Sequence, residues 1–289
     1  MNRKSEICNV FNAHAAEYEK VAIVQKEIGE RLFERLSYLT IQPQYVLDLG
    51  CGTGYFTKKL KQRYPQAQVV GLDVAWMMLK QSQKAHSLFK KWPLVQTDMT
   101  IMPFPSGLFD LVFANQVIHW SNPIAEVMRE INRVMNVNGC LMFSTLGPDT
   151  FYELRDAWSK VNHYAHTNTF VDMHDLGDTM VAEHFVDPVI DMEMLSVHYA
   201  TLSKLLNALK AQGVRNINPE RNQGLTGKQS FRAFEAAMQQ FMTENNQFPL
   251  TYEVVYGHAW KGSMRRLGQG IEAFIPVSQL RDGREILKR

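Results

Sequence analysis

Cysteine is scarce in this chain. Three thiols, Cys8, Cys51 and Cys140, are spread over 289 residues. They are too few and too scattered for a disulfide framework or a thiolate zinc site. Long apolar runs are missing too. No stretch approaches the about 20 apolar residues that cross a bilayer, and the polar opening Met1-Asn2-Arg3-Lys4-Ser5-Glu6 leads into none, so no leader or anchor is read there. A surplus of one charge is absent: 31 basic residues face 29 acidic ones, a formal net charge of +2. That balance gives no nucleic-acid footprint. The histidines show no H-E-x-x-H or paired-ligand spacing, so no metal is expected. Internal repeats and low-complexity segments are lacking as well. What remains is a cytoplasmic globular protein, long enough for one large domain or two small ones.

The most informative segment present is Val46-Leu47-Asp48-Leu49-Gly50-Cys51-Gly52-Thr53-Gly54. A short apolar strand runs into a loop with glycine at alternate positions, where the backbone can take positive φ and let a ligand lie against it. The spacing is G-x-G-x-G. It matches neither the dinucleotide G-x-G-x-x-G nor the phosphate loop, which needs Lys after the last glycine. A ligand with a nucleoside and an amino-acid end, but no phosphates, fits better. Val69-Val70-Gly71-Leu72-Asp73 reads as a second strand ending in an acid 19 residues after Gly54. An acid so placed can accept from both ribose hydroxyls. Leu94 to Thr97 leads into Asp98-Met99, and Phe109 to Asn115 reads as a fourth strand.

In this order and spacing the segments resemble the class I S-adenosylmethionine-dependent methyltransferases. The resemblance implies a Rossmann-like α/β fold: a doubly wound, seven-stranded, mostly parallel sheet with N-terminal helices and a helical lid inserted before the last strand. It implies S-adenosylmethionine as cofactor, with Gly50, Gly52 and Gly54 beneath it. Asp73 is expected at the ribose, Asp98 at the adenine amino group and Met99 against the ring. Cys51, Val74, Met78 and Asn115 complete the expected cofactor contacts, while Asp48 orients the loop, touches the ligand or does both.

Along the chain, residues 1–40 read as a helical cap, and residues 41–199 with 249–262 as the cofactor-binding domain. Residues 200–248 read as the lid over the substrate, joined in part by 148–186. Strand and helix patterns alternate from 45 to 146, as parallel sheets require. Pro123 to Met135 has a helical apolar stripe, with Ser121 or Asn122 expected as its cap. Asp149 to Val161, Leu202 to Lys210 and Lys228 to Met242 read as helices; Pro188 to Tyr199 and Leu250 to Trp260 read as strands. Residues 263–289 read as a basic tail: from Lys261 to Arg289 there are seven basic and three acidic residues.

A narrower resemblance covers nearly the whole chain up to about Gly262. Phe11-Asn12-Ala13-His14-Ala15-Ala16-Glu17-Tyr18, Asn115-Gln116-Val117-Ile118-His119-Trp120, Leu209-Lys210-Ala211-Gln212-Gly213 and Pro249 to Trp260 are similar to segments of the malonyl-acyl carrier protein O-methyltransferases of biotin synthesis. That implies methyl transfer to the free carboxylate of malonate carried on the phosphopantetheine arm of an acidic acyl carrier protein. A carboxylate is ionised at neutral pH, so no general base is required. Tyr18 and His119 are expected beside the reacting groups. A guanidinium from Arg155, Arg221 or Arg215 is expected to hold the substrate carboxylate, because its planar fork fits two oxygens. Two other readings stay open. One is a small-molecule acceptor. The other is hydroxylation, because Gly147 to Arg155 is similar to a segment of a complex I assembly factor reported to hydroxylate arginine.

Overall fold

The computed structural model describes residues 3–86, 91–213, 216–218, 220–222, 224–267 and 270–274. Its centre is a seven-stranded sheet in the order β3-β2-β1-β4-β5-β7-β6. The strands are β1 (Tyr45–Leu49), β2 (Gln68–Asp73), β3 (Leu94–Gln96), β4 (Phe109–Asn115), β5 (Met135–Leu146), β6 (Phe185–Tyr199) and β7 (Phe248–Lys261). Neighbours are parallel except at β7, which runs antiparallel to both β5 and β6.

Period-two alternation assigns side chains to the two faces. Leu111 and Phe113 of β4, Cys140 and Met142 of β5, and Leu250 and Tyr252 of β7 enter one core. Val112, Ala114, Leu141, Phe143 and Val255 enter the other. Both faces are covered, so β4 reads as a continuous apolar run, as buried parallel strands do. The first face is covered by α3 (Ile23–Arg35), α4 (Tyr55–Arg63), α7 (Tyr152–Ser159), α9 (Leu202–Ala211) and α10 (Lys228–Met238). The second is covered by α6 (Ile124–Val134) and α8 (Met173–Ala182). In α6, Val127, Met128 and Ile131 of the stripe the sequence predicts are fully buried, and Val134 joins them. Its expected cap is corrected: the N-cap is Pro123, after a cis Asn122–Pro123 bond, and Ser121 Oγ donates to the Pro123 carbonyl instead of an amide of the helix.

The N-terminal region is helical, as expected, and is divided into α1 (Arg3–His14), α2 (Tyr18–Val21) and α3. The break between α1 and α2 turns α1 back across α5 (Trp76–Lys84), where Asn12 Oδ1 accepts from the Met77 amide at 2.8 Å. Between β6 and β7 the chain inserts α9 and α10. Segment 160–168 joins that insertion. The Ala165 amide donates to the Glu220 carbonyl at 3.2 Å, and the rings of His166, Trp158 and Phe234 stack in one pile. Pro188 lies in a register shift of the edge strand β6, where a missing donor is tolerated. After residue 262 the expected tail gives way to a backbone hairpin, β8 (Ser263–Leu267) with β9 (Gly270–Phe274). The remainder of that tail, from 275, lies outside the described residues.

Helix α3 carries side chains to the carboxyl end of the sheet, and Gly29 sets its distance. A Cβ there would meet the Phe56 ring and lie 2.6 Å from Asn115 Nδ2. Alanine is intrinsically better than glycine in a helix interior by about 1 kcal/mol, but overpacking costs about 1–3 kcal/mol. Gly29→Ala should therefore lower the thermal midpoint rather than raise it, and weaken cofactor binding, because α3 is pushed away from β4. Thermal denaturation together with titration calorimetry reads both.

Candidate active site

Strand β1 stops where Gly50 turns the chain under the end of β2. The amides of Gly50 and Cys51 both donate to the Leu72 carbonyl, at 2.8 and 2.9 Å. The Gly52 amide donates to Asp73 Oδ2 at 2.9 Å, while Asp73 Oδ1 accepts from the Ala75 amide at 2.8 Å. The three glycines have φ of 71°, 52° and 82°, conformations that favour glycine. Asp48, 2 % exposed, accepts from Thr57 Oγ1 at 2.5 Å and so ties β1 to α4. Burial and the neighbouring Asp73 push its carboxyl up to about 7, against the pull of the Thr57 hydrogen bond. Burial likewise raises Asp73, against its backbone donors.

Above this loop lies a cavity of about 240 Å³, bounded by the carboxyl ends of β1, β2 and β4 and by α1, α2 and α3. Sheet order reverses between β1 and β4, the switch point where open α/β sheets bind ligands. Gly50, Cys51, Gly52 and Asp48 form its floor, and Asp73, Val74 and Met78 one wall. Asp98 and Met99 close the β3 end, and Asn115 and Tyr18 lie on the wall as well. A side chain at Gly52 would meet no protein atom within 4 Å, so that position faces open space. At the β3 end, Lys4 of α1 reaches Asp98 Oδ2 at 2.9 Å and Thr100 Oγ1 at 3.0 Å. Burial would raise Asp98, but Thr100 and Lys4 outweigh it and hold the carboxyl below its ordinary range.

Several expectations are corrected. Gly54 does not line the cavity; it is glycine because of its φ and because a Cβ would strike Ser82. Asn115 lines the cavity, but its amide is committed to the protein: Nδ2 donates to the Gln25 carbonyl at 3.0 Å and Oδ1 accepts from Ser144 Oγ at 2.7 Å. His119 lies outside the lining, with Nδ1 3.4 Å from Thr145 Oγ1 and its ring edge-on to Phe170. Arg155 turns back along its own helix, donating to the Thr150 carbonyl at 2.6 Å. Arg221 pairs with Glu6 of α1 at 3.1 Å, beside a separate cavity. Arg215 lies outside the described residues. Among the described residues, then, no guanidinium lines the central cavity.

Other wall residues escaped the sequence reading: Lys4, Phe11, Gln25, Lys26, Tyr55, Gln116 and Trp120. Phe11 packs edge-on against Tyr18 and Trp120, with ring centroids 6.1 and 5.5 Å apart. Phe11, Gln116 and Trp120 lie inside the recognised segments and Tyr55 directly follows the glycine loop, and that was the signal available for them. Gln116 has a φ of 55° directly after β4, which the sequence does not reveal. Among the described residues, no group of three or more His, Cys, Asp or Glu side chains is placed to hold a metal, and no helix is long and apolar enough to cross a membrane.

Comparison with known proteins agrees with this geometry. Residues 47–143 match the family described as methyltransferase domain. A malonyl-[acyl-carrier protein] O-methyltransferase of Legionella pneumophila is 62 % identical over 97 % of this chain and 99 % of its own. One from Laribacter hongkongensis is 39 % identical over 99 % of this chain and 95 % of its own. Among solved structures, a putative methyltransferase of Bacillus halodurans matches with a TM-score of 0.57 at 15 % identity, covering 81 % of this chain and 99 % of its own. An S-adenosylmethionine-dependent methyltransferase of Thermotoga maritima matches with a TM-score of 0.52 at 16 % identity, covering 88 % and 99 %. These two share the fold; the two relatives align in sequence over nearly the whole chain. The chain belongs to the malonyl-[acyl-carrier protein] O-methyltransferase family.

Proposed function

We propose that this protein transfers a methyl group from S-adenosylmethionine to the free carboxylate of a malonyl thioester on acyl carrier protein. The reading is carried by one cavity, at the switch point, that unites a G-x-G-x-G loop with Asp73 and Asp98 in a chain of this family. The residues suit the cofactor. Gly52 leaves room for a ligand on the backbone, and two carboxylates, the buried Asp48 and the half-buried Asp73, face a cavity that would receive a sulfonium and an ammonium. When bound, the cofactor supplies an electrophilic methyl: a carboxylate oxygen gains the O–C bond as the S–C electron pair returns to sulfur.

The protein's task is then alignment and exclusion of water, and orientation can supply about 7–11 kcal/mol of a barrier. Tyr18 is the donor we assign to the acceptor carboxylate. Burial, and secondarily Asp73, raise its phenol, so it stays protonated at neutral pH. A neutral donor orients a carboxylate without quenching its charge, which suits a nucleophile better than the guanidinium expected from sequence. Phe11 and Trp120 keep the wall beside it apolar. We read α9, α10 and segment 160–168 as the lid that admits the pantetheine arm.

Labelled S-adenosylmethionine should label malonyl-acyl carrier protein but not acetyl-acyl carrier protein; label on neither, with cofactor bound, removes this reading. Tyr18→Phe should lower kcat/KM for the malonyl substrate about 10- to 100-fold, the range for a hydrogen bond to a charged group, with little change in cofactor Kd. The Asp48 carboxyl predicts a pH dependence. Its pKa in the fold lies above the unfolded value, so its stabilising contribution is present at low pH and lost as pH rises through about 7. A cationic ligand reverses that preference by favouring the ionised form. Cofactor affinity should therefore fall as pH drops from 8 to 6, by at most about tenfold per unit, and Asp48→Asn should flatten the slope in calorimetry.

A further inference from the structure

Lys4 and Lys26 are the lysines on the wall of the central cavity, one near each end. Lys4 is neutralised by Asp98. Lys26 is not neutralised in this way. Among the described residues its side chain forms no hydrogen bond or salt bridge; its ammonium rests 4.3 Å from the centre of the Tyr55 ring. The nearby Glu30 does not cancel it, because Glu30 already accepts from Tyr55 Oη at 2.5 Å and pairs with Lys59. Lys26, Lys59 and Glu30 together keep one positive charge. That charge lies beside the turn where Gly54 leads into α4, across the floor from Asp98.

The cofactor has a fixed order of groups: adenine, ribose, sulfonium, then an amino acid with one ammonium and one carboxylate. With adenine at Asp98 and ribose at Asp73, the amino-acid end must continue over β1 and β4, toward α3. The carboxylates of Asp48 and Asp73 suit the two cationic groups of the ligand. They would repel its carboxylate, which needs a cation at this end. We propose that Lys26 binds the α-carboxylate of S-adenosylmethionine, and that the Tyr55 ring beneath its ammonium holds it in place. This rests on the cofactor reading above, but not on the identity of the methyl acceptor.

The test is a cycle between one side chain and one ligand group, read by calorimetry. S-adenosylhomocysteine and its decarboxylated analogue are titrated into the wild type, Lys26→Met and Lys26→Arg. In the wild type, loss of the ligand carboxylate should weaken binding about 10- to 100-fold, as for a charge-assisted hydrogen bond. In Lys26→Met the two ligands should bind within about threefold of each other, and Lys26→Arg should restore the preference. Lys26→Met should also raise KM for the cofactor by a larger factor than it lowers kcat. A preference for the carboxylate that persists in Lys26→Met overturns the assignment. So does unchanged cofactor binding with a raised KM for the malonyl substrate, which would place Lys26 on the other carboxylate. Failure of the wild type to bind S-adenosylhomocysteine would overturn the cofactor reading itself, and labelled methyl transfer separates that case.

Discussion

The carboxylate of Asp73 is the constraint on which the cavity depends. One oxygen fixes the amide of Gly52 and the other the amide that opens the approach to α5. The glycine loop is thus shaped by the strand beside it rather than by its own sequence alone. Each carboxylate oxygen has lone pairs to spare, so the group that shapes the loop can also receive ribose hydroxyls. Removing it would leave the amides of Gly52 and Ala75 without this partner. Shape and recognition cannot be varied separately at this position.

Charge is distributed with the same economy. Asp48 on the floor and Asp73 on the adjoining wall have no cation bonded to either among the described residues, and burial raises both. A preorganised negative pair of this kind attracts a cationic ligand more strongly than a fully solvated pair would, because the effective dielectric is lower. At the α3 end of the cavity Lys26 supplies the opposite sign, while Lys4 at the β3 end is neutralised by Asp98. The arrangement favours a ligand whose own charge is positive in the middle, which is the pattern of a sulfonium cofactor.

Much of this was legible in the chain. Gly50, Gly52, Asp73 and Asp98 could be placed because each is dictated locally, by a backbone turn or by the last residues of a strand. Individual strands followed from apolar or alternating stretches, and their union in one seven-stranded sheet from the family resemblance. The arginines were not legible, since where a guanidinium points depends on partners distant in sequence. Arg221 finds Glu6 on the first helix, 215 positions away, and Arg155 finds a carbonyl of its own turn. Lys26 escaped for the converse reason: an exposed lysine on an amphipathic helix looks like any solvated one until the helix is docked. The α6 cap failed because Ser121 bonds forward to a carbonyl across the bend at Pro123, a choice that depends on the bend and not on the residue type.

Helix α1 is fastened on two sides. Lys4 joins it to Asp98 at the cavity, and Glu6, two residues later, joins it to Arg221 in the segment inserted between β6 and β7. The cavity roof and the inserted segment therefore share one rigid bar. To lift the roof is to break a tie to that segment, and to swing the segment outward is to pull on the roof. Exchange of spent cofactor and admission of a carrier-bound acyl group would then not be independent events.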